Sequence, residues 1–297
     1  PYSPEQERML DRVIGDMNDE DLAFVIHVGD LQVSPAGYRE GVPPCTDEAL
    51  LHVRTLLEKS RHPIVITPGD NDWTDCHQTK PPADPSERLH RLRDLLFTSR
   101  PTLGRTSMAV ASQASGNDAL PFPENLSWTR NNILFVTLHI VGSNNNQGRT
   151  AEGDAESAAR TAAAIAWMKK AFAAARSNGH AAVVILTHAN PYFEDRWPPF
   201  YTRLVGIAPP PPARTGFTEF LAALEEEVIA YGRPVLFAHG DSHYFRVDKP
   251  FFRASDRNLI ANFTRVESFG SPYVDWVRIG IDPSDPAVFT FAPQMTR

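Results

Sequence analysis

Ile64-Val65-Ile66-Thr67-Pro68-Gly69-Asp70-Asn71-Asp72-Trp73 joins an apolar, β-branched run to a turn that delivers three oxygen-bearing side chains in succession. The run has the composition of a strand buried on both faces of a parallel sheet. Pro68-Gly69 breaks it, and Asp70, Asn71 and Asp72 follow as a tight, Asx-rich turn at the strand's carboxyl end. In open α/β sheets ligands collect at that edge. Carboxylate and amide oxygens placed there can hold a hard or borderline cation. Taken alone, the stretch fits a solvated turn equally well.

Three more stretches repeat the design. Phe24-Val25-Ile26-His27-Val28-Gly29-Asp30 is an apolar run ending in Asp, and Ala182-Val183-Val184-Ile185-Leu186-Thr187-His188-Ala189-Asn190 ends in His and Asn. Pro234-Val235-Leu236-Phe237-Ala238-His239-Gly240-Asp241-Ser242-His243 ends in His, Asp and His. The ends of parallel strands converge on one edge of a sheet, so these groups can meet although they are distant in sequence. Asp30, Asp70, His188, His239, Asp241 and His243 are therefore candidate ligands of a transition metal, whose usual donors are carboxylate and imidazole.

The remaining composition narrows the field. The chain has 297 residues with 42% hydrophobic content and a net charge of −7, enough to build one large α/β domain over residues 1–297. No basic run offers a face for duplex nucleic acid, and no apolar run approaches a membrane span. Beginning at Pro1 without a signal peptide, the chain reads as a processed or trimmed one. Its two cysteines, Cys45 and Cys76, sit in polar loops with the look of surface, as two free thiols or as one disulfide. The disulfide is the favoured reading, and it implies an oxidising compartment.

Helices are expected over Ser3–Met17, Thr46–Ser60, Ser86–Leu96, Ala155–Ser177 and Phe217–Tyr231, from their caps and 3.6-residue apolar stripes. Alternation of these with strands argues for a parallel sheet. Thr98–Ser127 and Asn190–Gly216 read as long loops, the second carrying Tyr192, Phe193, Trp197, Phe200, Tyr201 and Pro209–Pro212. Those aromatics could stack on a substrate or pack as a satellite core. Short strand-like pieces between Phe251 and Phe291 predict an antiparallel finish. His27 reads as a core histidine, and His62, His90 and His180 as surface ones. His139, at a strand's end, is either core or site wall.

In their order, these blocks resemble the calcineurin-like metallophosphoesterase superfamily. Gly29-Asp30 is similar to that family's Gly-Asp block and Gly69-Asp70-Asn71-Asp72 to its Gly-Asn-His-Asp/Glu block. His188 looks like its lone His, and Gly240-Asp241-Ser242-His243 resembles its Gly-His-x-His block. Gly69 to His77 and His239 to Tyr244 look like a secreted bacterial branch of the superfamily. The resemblance implies a four-layer αββα sandwich of two mixed β-sheets flanked by helices, with two divalent ions (Zn, Mn or Fe) between the sheets. It implies secreted or periplasmic hydrolysis of a small phosphorylated substrate, a monoester or diester, by metal-activated water. Asp30 is the bridging candidate, and Asp70, His188 and His243 are terminal ligands, completed by Asp241 or His239. Asn71, Asp72 and Asp241 are the candidate catalytic groups, and Asn71, Asn190 and His139 the candidate substrate contacts, although Asp72 could equally cap its turn.

Two positions depart from the family. Its Asp-x-His block, on a strand preceding the Ser3 helix, is missing from this chain, and with it one strand and one ligand. The family's proton-donating His is Asn71 here, a neutral amide that cannot act as an acid. A degenerate member that binds a metal or a phosphorylated ligand without efficient turnover is thus a second reading. An interaction module with the aromatic loop as its binding face is a third.

Overall fold

A computed structural model describes residues 3–97, 102–116, 119–193 and 215–296. Helix α1 (Pro4–Asp19) starts where Ser3 accepts the Gln6 N–H, with Pro4 in the first turn. It leads to β1 (Val25–His27), and α2 (Asp47–Leu57), capped by Thr46, leads to β2 (Ile64–Ile66). The two strands pair in parallel, Ile26 opposite Val65. Helix α3 (Pro85–Leu96) is capped by Asp84. Next come β3 (Ala111–Ser112), β4 (Leu126–Arg130), β5 (Ile133–Thr137), the 27-residue α4 (Ala151–Ser177) and β6 (Ala182–Leu186). Helix α5 (Thr218–Tyr231), β7 (Val235–His239), β8 (Arg246–Asp248), β9 (Phe263–Glu267), β10 (Trp276–Ile281) and β11 (Phe289–Gln294) complete the order.

Seven strands form one mixed sheet in the order β3-β4-β5-β6-β7-β9-β8. Its centre, β5-β6-β7-β9, is parallel, and β3, β4 and β8 add antiparallel edges. The period of two decides which side each residue serves. Leu134, Val136, Val183, Ile185, Val235 and Phe237 face α4 and α5. Ile133, Phe135, Val184, Leu186, Leu236 and Val266 face the opposite way, toward Val65 of β2 and Val277, Ile279 and Ile281 of β10. Leu50, Val53, Leu57, Leu89 and Leu92 bring α2 and α3 onto β2, and Val13, Ile14 and Met17 bring α1 against Val25 and Trp276. Strands β1-β2 and β10-β11 remain separate two-stranded pieces. Between them runs a largely apolar cleft of about 590 Å³.

Several expectations are corrected. Phe193 is wholly buried, with Phe237, Phe251 and Phe263 around it at 5.0–5.3 Å, so it belongs to the principal core. Trp197, Phe200, Tyr201 and Pro209–Pro212 lie outside the described residues. His62 and His180 are buried, not surface; His62 Nε2 lies 2.9 Å from the Met17 carbonyl oxygen. The finish is only partly antiparallel, because β9 joins β7 in parallel. Cys45 and Cys76 form a disulfide, but both are buried, so their polar neighbours misread as surface. Among the described residues no helix is long and apolar enough to cross a membrane.

Candidate metal centre

Four carboxyl-terminal strand ends converge. Asp30 follows β1, Asp70 follows β2, His188 follows β6 and Asp241 follows β7. Asp30 and Asp241 sit in left-handed backbone, at φ 54° and 76°, a conformation that non-glycine residues hold only where the surroundings enforce it. Two glycines let the first pair of turns close. A Cβ on Gly29, at φ 90°, would lie 2.5 Å from His188 Nδ1, and one on Gly69 would overlap the Asp30 backbone N–H and carboxylate. The β1 and β2 turns therefore meet backbone to side chain, as only glycine permits.

One ligand atom each from Asp30, Asp70 and His188 lies within 4.8 Å of the others. His188 Nε2 is the hub, 3.2 Å from Asp70 Oδ1, 3.4 Å from Asp30 Oδ1 and 3.8 Å from Asp241 Oδ1. Its other nitrogen, Nδ1, donates to the Val28 carbonyl at 2.8 Å, which fixes the ring and aims Nε2 at the carboxylates. Metal-binding histidines are commonly held this way. The Asn71 N–H donates to Asp70 Oδ1 at 3.0 Å and to Asp30 Oδ1 at 3.3 Å, and the Asn190 N–H donates to Asp241 Oδ2 at 2.9 Å. Ser143 Oγ lies 2.9 Å from Asp70 Oδ2 and 2.8 Å from Asp75 Oδ1.

Crowding of three acids around one imidazole sets their ionisation. Burial pushes Asp30 well above the usual carboxylate range, against the pull of His188. Burial also raises Asp70, but the His188 hydrogen bond and charge, with Ser143, outweigh it and hold Asp70 down at about 2. Burial raises Asp241 to about 6. It disfavours a charged His188 too, yet Asp30, Asp70 and Asp241 together drive that imidazole well above its ordinary value. That rise favours a protonated, positively charged His188 when no cation is bound. A divalent ion would displace that proton and leave a neutral nitrogen donor. Two or three carboxylates and an oriented imidazole match the donor set of a borderline cation.

The remaining predicted residues divide. His243 and Asp241 border the cleft with Asp30 and His188, and His243 Nδ1 donates to the Ser271 carbonyl at 2.8 Å. Asn190 Nδ2 donates to Ser242 Oγ at 2.7 Å, so its side chain braces the β7 turn. Asn71 is buried beside the two ligands its backbone contacts. His239 stays outside the group: Nδ1 donates to the Gly240 carbonyl, and buried Nε2 faces Glu267 at 3.9 Å. Strand alternation explains this, since His239 is still in β7 whereas Asp241 lies beyond it. Asp72 is a turn cap, fully buried, accepting the N–H groups of Gly69 and Gln32. His139 is sealed in the interior against Trp73, its Nδ1 donating to Glu124 at 2.7 Å. Glu124 also takes Arg93 at 2.6 Å, so the trio is a buried structural network.

By composition Gly142-Ser143-Asn144-Asn145-Asn146 is only a polar turn. It stands directly over Asp70, and Ser143 and Asp75 are the side chains missed. The run of residues tolerant of left-handed backbone was the available signal. A scan against protein-family models finds none that matches, and no curated protein matches the chain.

Proposed function

We propose that Asp30, Asp70 and His188, with Asp241 alongside, hold a divalent cation and that the chain hydrolyses a phosphate ester there. The observation carrying this reading is the convergence of three ligand atoms within 4.8 Å from strands far apart in sequence. The resemblance of the blocks to calcineurin-like metallophosphoesterases supplies the reaction class. A bound ion supplies positive charge to phosphate oxygens and acidifies water. The chain's own residues orient the pieces: Val28 holds the His188 ring, Asn190 holds Asp241, and the Asn71 N–H keeps Asp30 and Asp70 turned inward.

Two finer features belong to the same proposal. The successive packing of α4–α5, the seven-stranded sheet, β1-β2 with β10-β11, and α1–α3 reads as an αββα sandwich. His243, which borders the cleft, is the candidate ligand of a second cation. The buried Cys45–Cys76 bridge favours an oxidising compartment, outside the cytoplasm.

A reading as a metal or phosphate binder without efficient turnover draws on Asn71, a neutral amide where a proton donor to the leaving group is expected. Metal analysis, together with hydrolysis of p-nitrophenyl phosphate and bis(p-nitrophenyl) phosphate, separates the two. Turnover that depends on added Mn²⁺ and is lost in Asp30→Asn supports the phosphoesterase. Bound metal with no hydrolysis above Asp30→Asn supports the binder. Absence of bound metal would sink the phosphoesterase and leave of the second reading only a binder of the phosphorylated ligand.

A further inference from the structure

We infer that Ser143, presented by a left-handed turn, is a positioning residue that fixes the Asp70 carboxylate for its cation. This rests on the metal-centre reading above. The oxygens of Asp70 have different surroundings. Oδ1 faces His188 Nε2 at 3.2 Å, whereas Oδ2 lies 2.9 Å from Ser143 Oγ. A hydroxyl carries one proton. The Ser143 hydroxyl is within donating distance of two carboxylate oxygens, Asp70 Oδ2 and, at 2.8 Å, Asp75 Oδ1. Given to Oδ2, its proton stops the Asp70 carboxylate rotating and leaves Oδ1 turned to the imidazole.

The backbone that presents this hydroxyl is unusual. Ser143, Asn144, Asn145 and Asn146 have φ of 50°, 53°, 55° and 68°, four consecutive non-glycine residues in left-handed conformation. Such backbone persists only where its surroundings over-determine it, and it gathers at functional sites. The surroundings here are specific. Fully buried Arg160 donates through Nη1 to Asn145 Oδ1 at 2.6 Å and through Nη2 to the Asn145 carbonyl at 3.1 Å. Asn145 Nδ2 donates to Thr161 Oγ1 and to the Gly216 carbonyl, and Asn146 Oδ1 accepts from Thr74. The turn's first residue, Gly142, comes so near that a Cβ there would overlap Asp70 Oδ2 and lie 2.6 Å from Asp241 Oδ1. Anchored from α4 and pressed onto two candidate ligands, the turn has one hydroxyl to offer, and it stands between the Asp70 and Asp75 carboxylates.

The test is calorimetric titration of Mn²⁺ alone into the 297-residue chain, Ser143→Ala, Ser143→Gly and Asp75→Asn, with thermal melts of each ion-free protein. Both Ser143 variants should bind Mn²⁺ about 10–100-fold more weakly, the usual loss when a group holding a ligand is removed. Ser143→Gly relieves left-handed strain, so its ion-free melt should not fall below that of the unaltered chain. Asp75→Asn keeps a hydrogen-bonding group facing Ser143 and should bind nearly as the unaltered chain does. Weaker binding in Ser143→Ala with full affinity in Ser143→Gly would mean the residue serves only the backbone, and would overturn the inference. Unchanged affinity in both would do the same. No Mn²⁺ uptake by the unaltered chain would instead remove the metal-centre reading on which this one stands.

Discussion

Reducing the Cys45–Cys76 bridge should destabilise the protein by an amount its loop length fixes. The cysteines are 31 residues apart, and closing a loop of that size removes about 12 cal/mol/K from the unfolded chain, or about 3.7 kcal/mol at 25 °C. The native state keeps other ties across the same place. The Cys45 N–H donates to Gln32 Oε1, and Gln32 Nε2 donates to the Asn71 and Asp72 carbonyls. The folded arrangement should therefore outlast the bridge, and the loss should appear as a lower melting temperature rather than a different fold. At roughly 2–4 °C per kcal/mol for a chain somewhat shorter than this one, the expected drop is about 7–15 °C, with the lower end favoured by size. The assay compares melts of oxidised protein, reduced protein and the Cys45→Ala/Cys76→Ala double variant. Reduction keeps both buried sulfurs in place, so its effect isolates the cross-link, and the double variant should fall further through lost packing. Coincident melts of oxidised and fully reduced protein would refute the loop-entropy argument. Two thiols titrating in denaturant without reductant would refute the bridge itself.

Three more perturbations probe the centre and its support. Gly69→Ala forces a methyl into the Asp30 backbone, where nothing can swing aside, and should cost about 1–3 kcal/mol or more with loss of Mn²⁺ uptake; a variant with unchanged guanidinium midpoint and uptake would contradict the close approach of the two turns. Glu124→Ala strands Arg93 and His139 beside a vacated, fully buried site and should cost about 3–5 kcal/mol, read by chemical denaturation; near-neutral behaviour would show that the network is dispensable. Ionisation gives the third. His188 is raised, so its contribution is complete below the ordinary imidazole pKa and is lost as pH climbs through its folded value. Asp241 and Asp72, raised to about 6 by burial, also withdraw stability as pH rises from the ordinary carboxylate range to there. Asp70, held at about 2, acts oppositely to these three, its contribution vanishing as pH falls through that value. Ion-free protein should therefore melt lower as pH is raised above neutrality, while the stabilisation gained from Mn²⁺ grows because His188 has a proton to give up. A flat ion-free profile, or a Mn²⁺ gain that shrinks with pH, would count against the assignment.

Periodicity was enough to read the principal helices and the parallel strands, but not β3 and the start of β4, which fall inside the Thr98–Ser127 stretch expected as a loop. Capping residues Ser3 and Thr46 begin helices where their short polar side chains predict, and the apolar runs ending before Asp30, Asp70, His188 and Asp241 are the parallel strands. Asp30, Asp70 and His188 were legible because each stands past a strand's end, where the side chain is released from the pleat. His239 and His139 were not distinguishable from ligands by composition alone. Whether such a residue joins the ligand group depends on where pairing stops and on distant partners such as Glu124 and Glu267. The role of Ser143 was invisible for a related reason. Its neighbours Asp70 and Asp75 lie 73 and 68 positions away, and only the folded chain brings them together.

Asp30 and Asp70 leave adjacent parallel strands whose register is locked at Val25–Ile64, Ile26–Val65 and His27–Ile66. That register, about 4.8 Å from strand to strand, sets the two turns side by side, and the close approach of Gly69 to Asp30 holds them there. With the proposed cation in place, such a seat would work like a fixed calliper: ions of similar radius would exchange within it at small cost, whereas a larger one such as calcium, which asks for longer bonds and more oxygens, would have to prise the turns apart. Selectivity by size would then be written into the sheet itself, and altering it would call for changes in strand pairing more than in the acids that touch the ion.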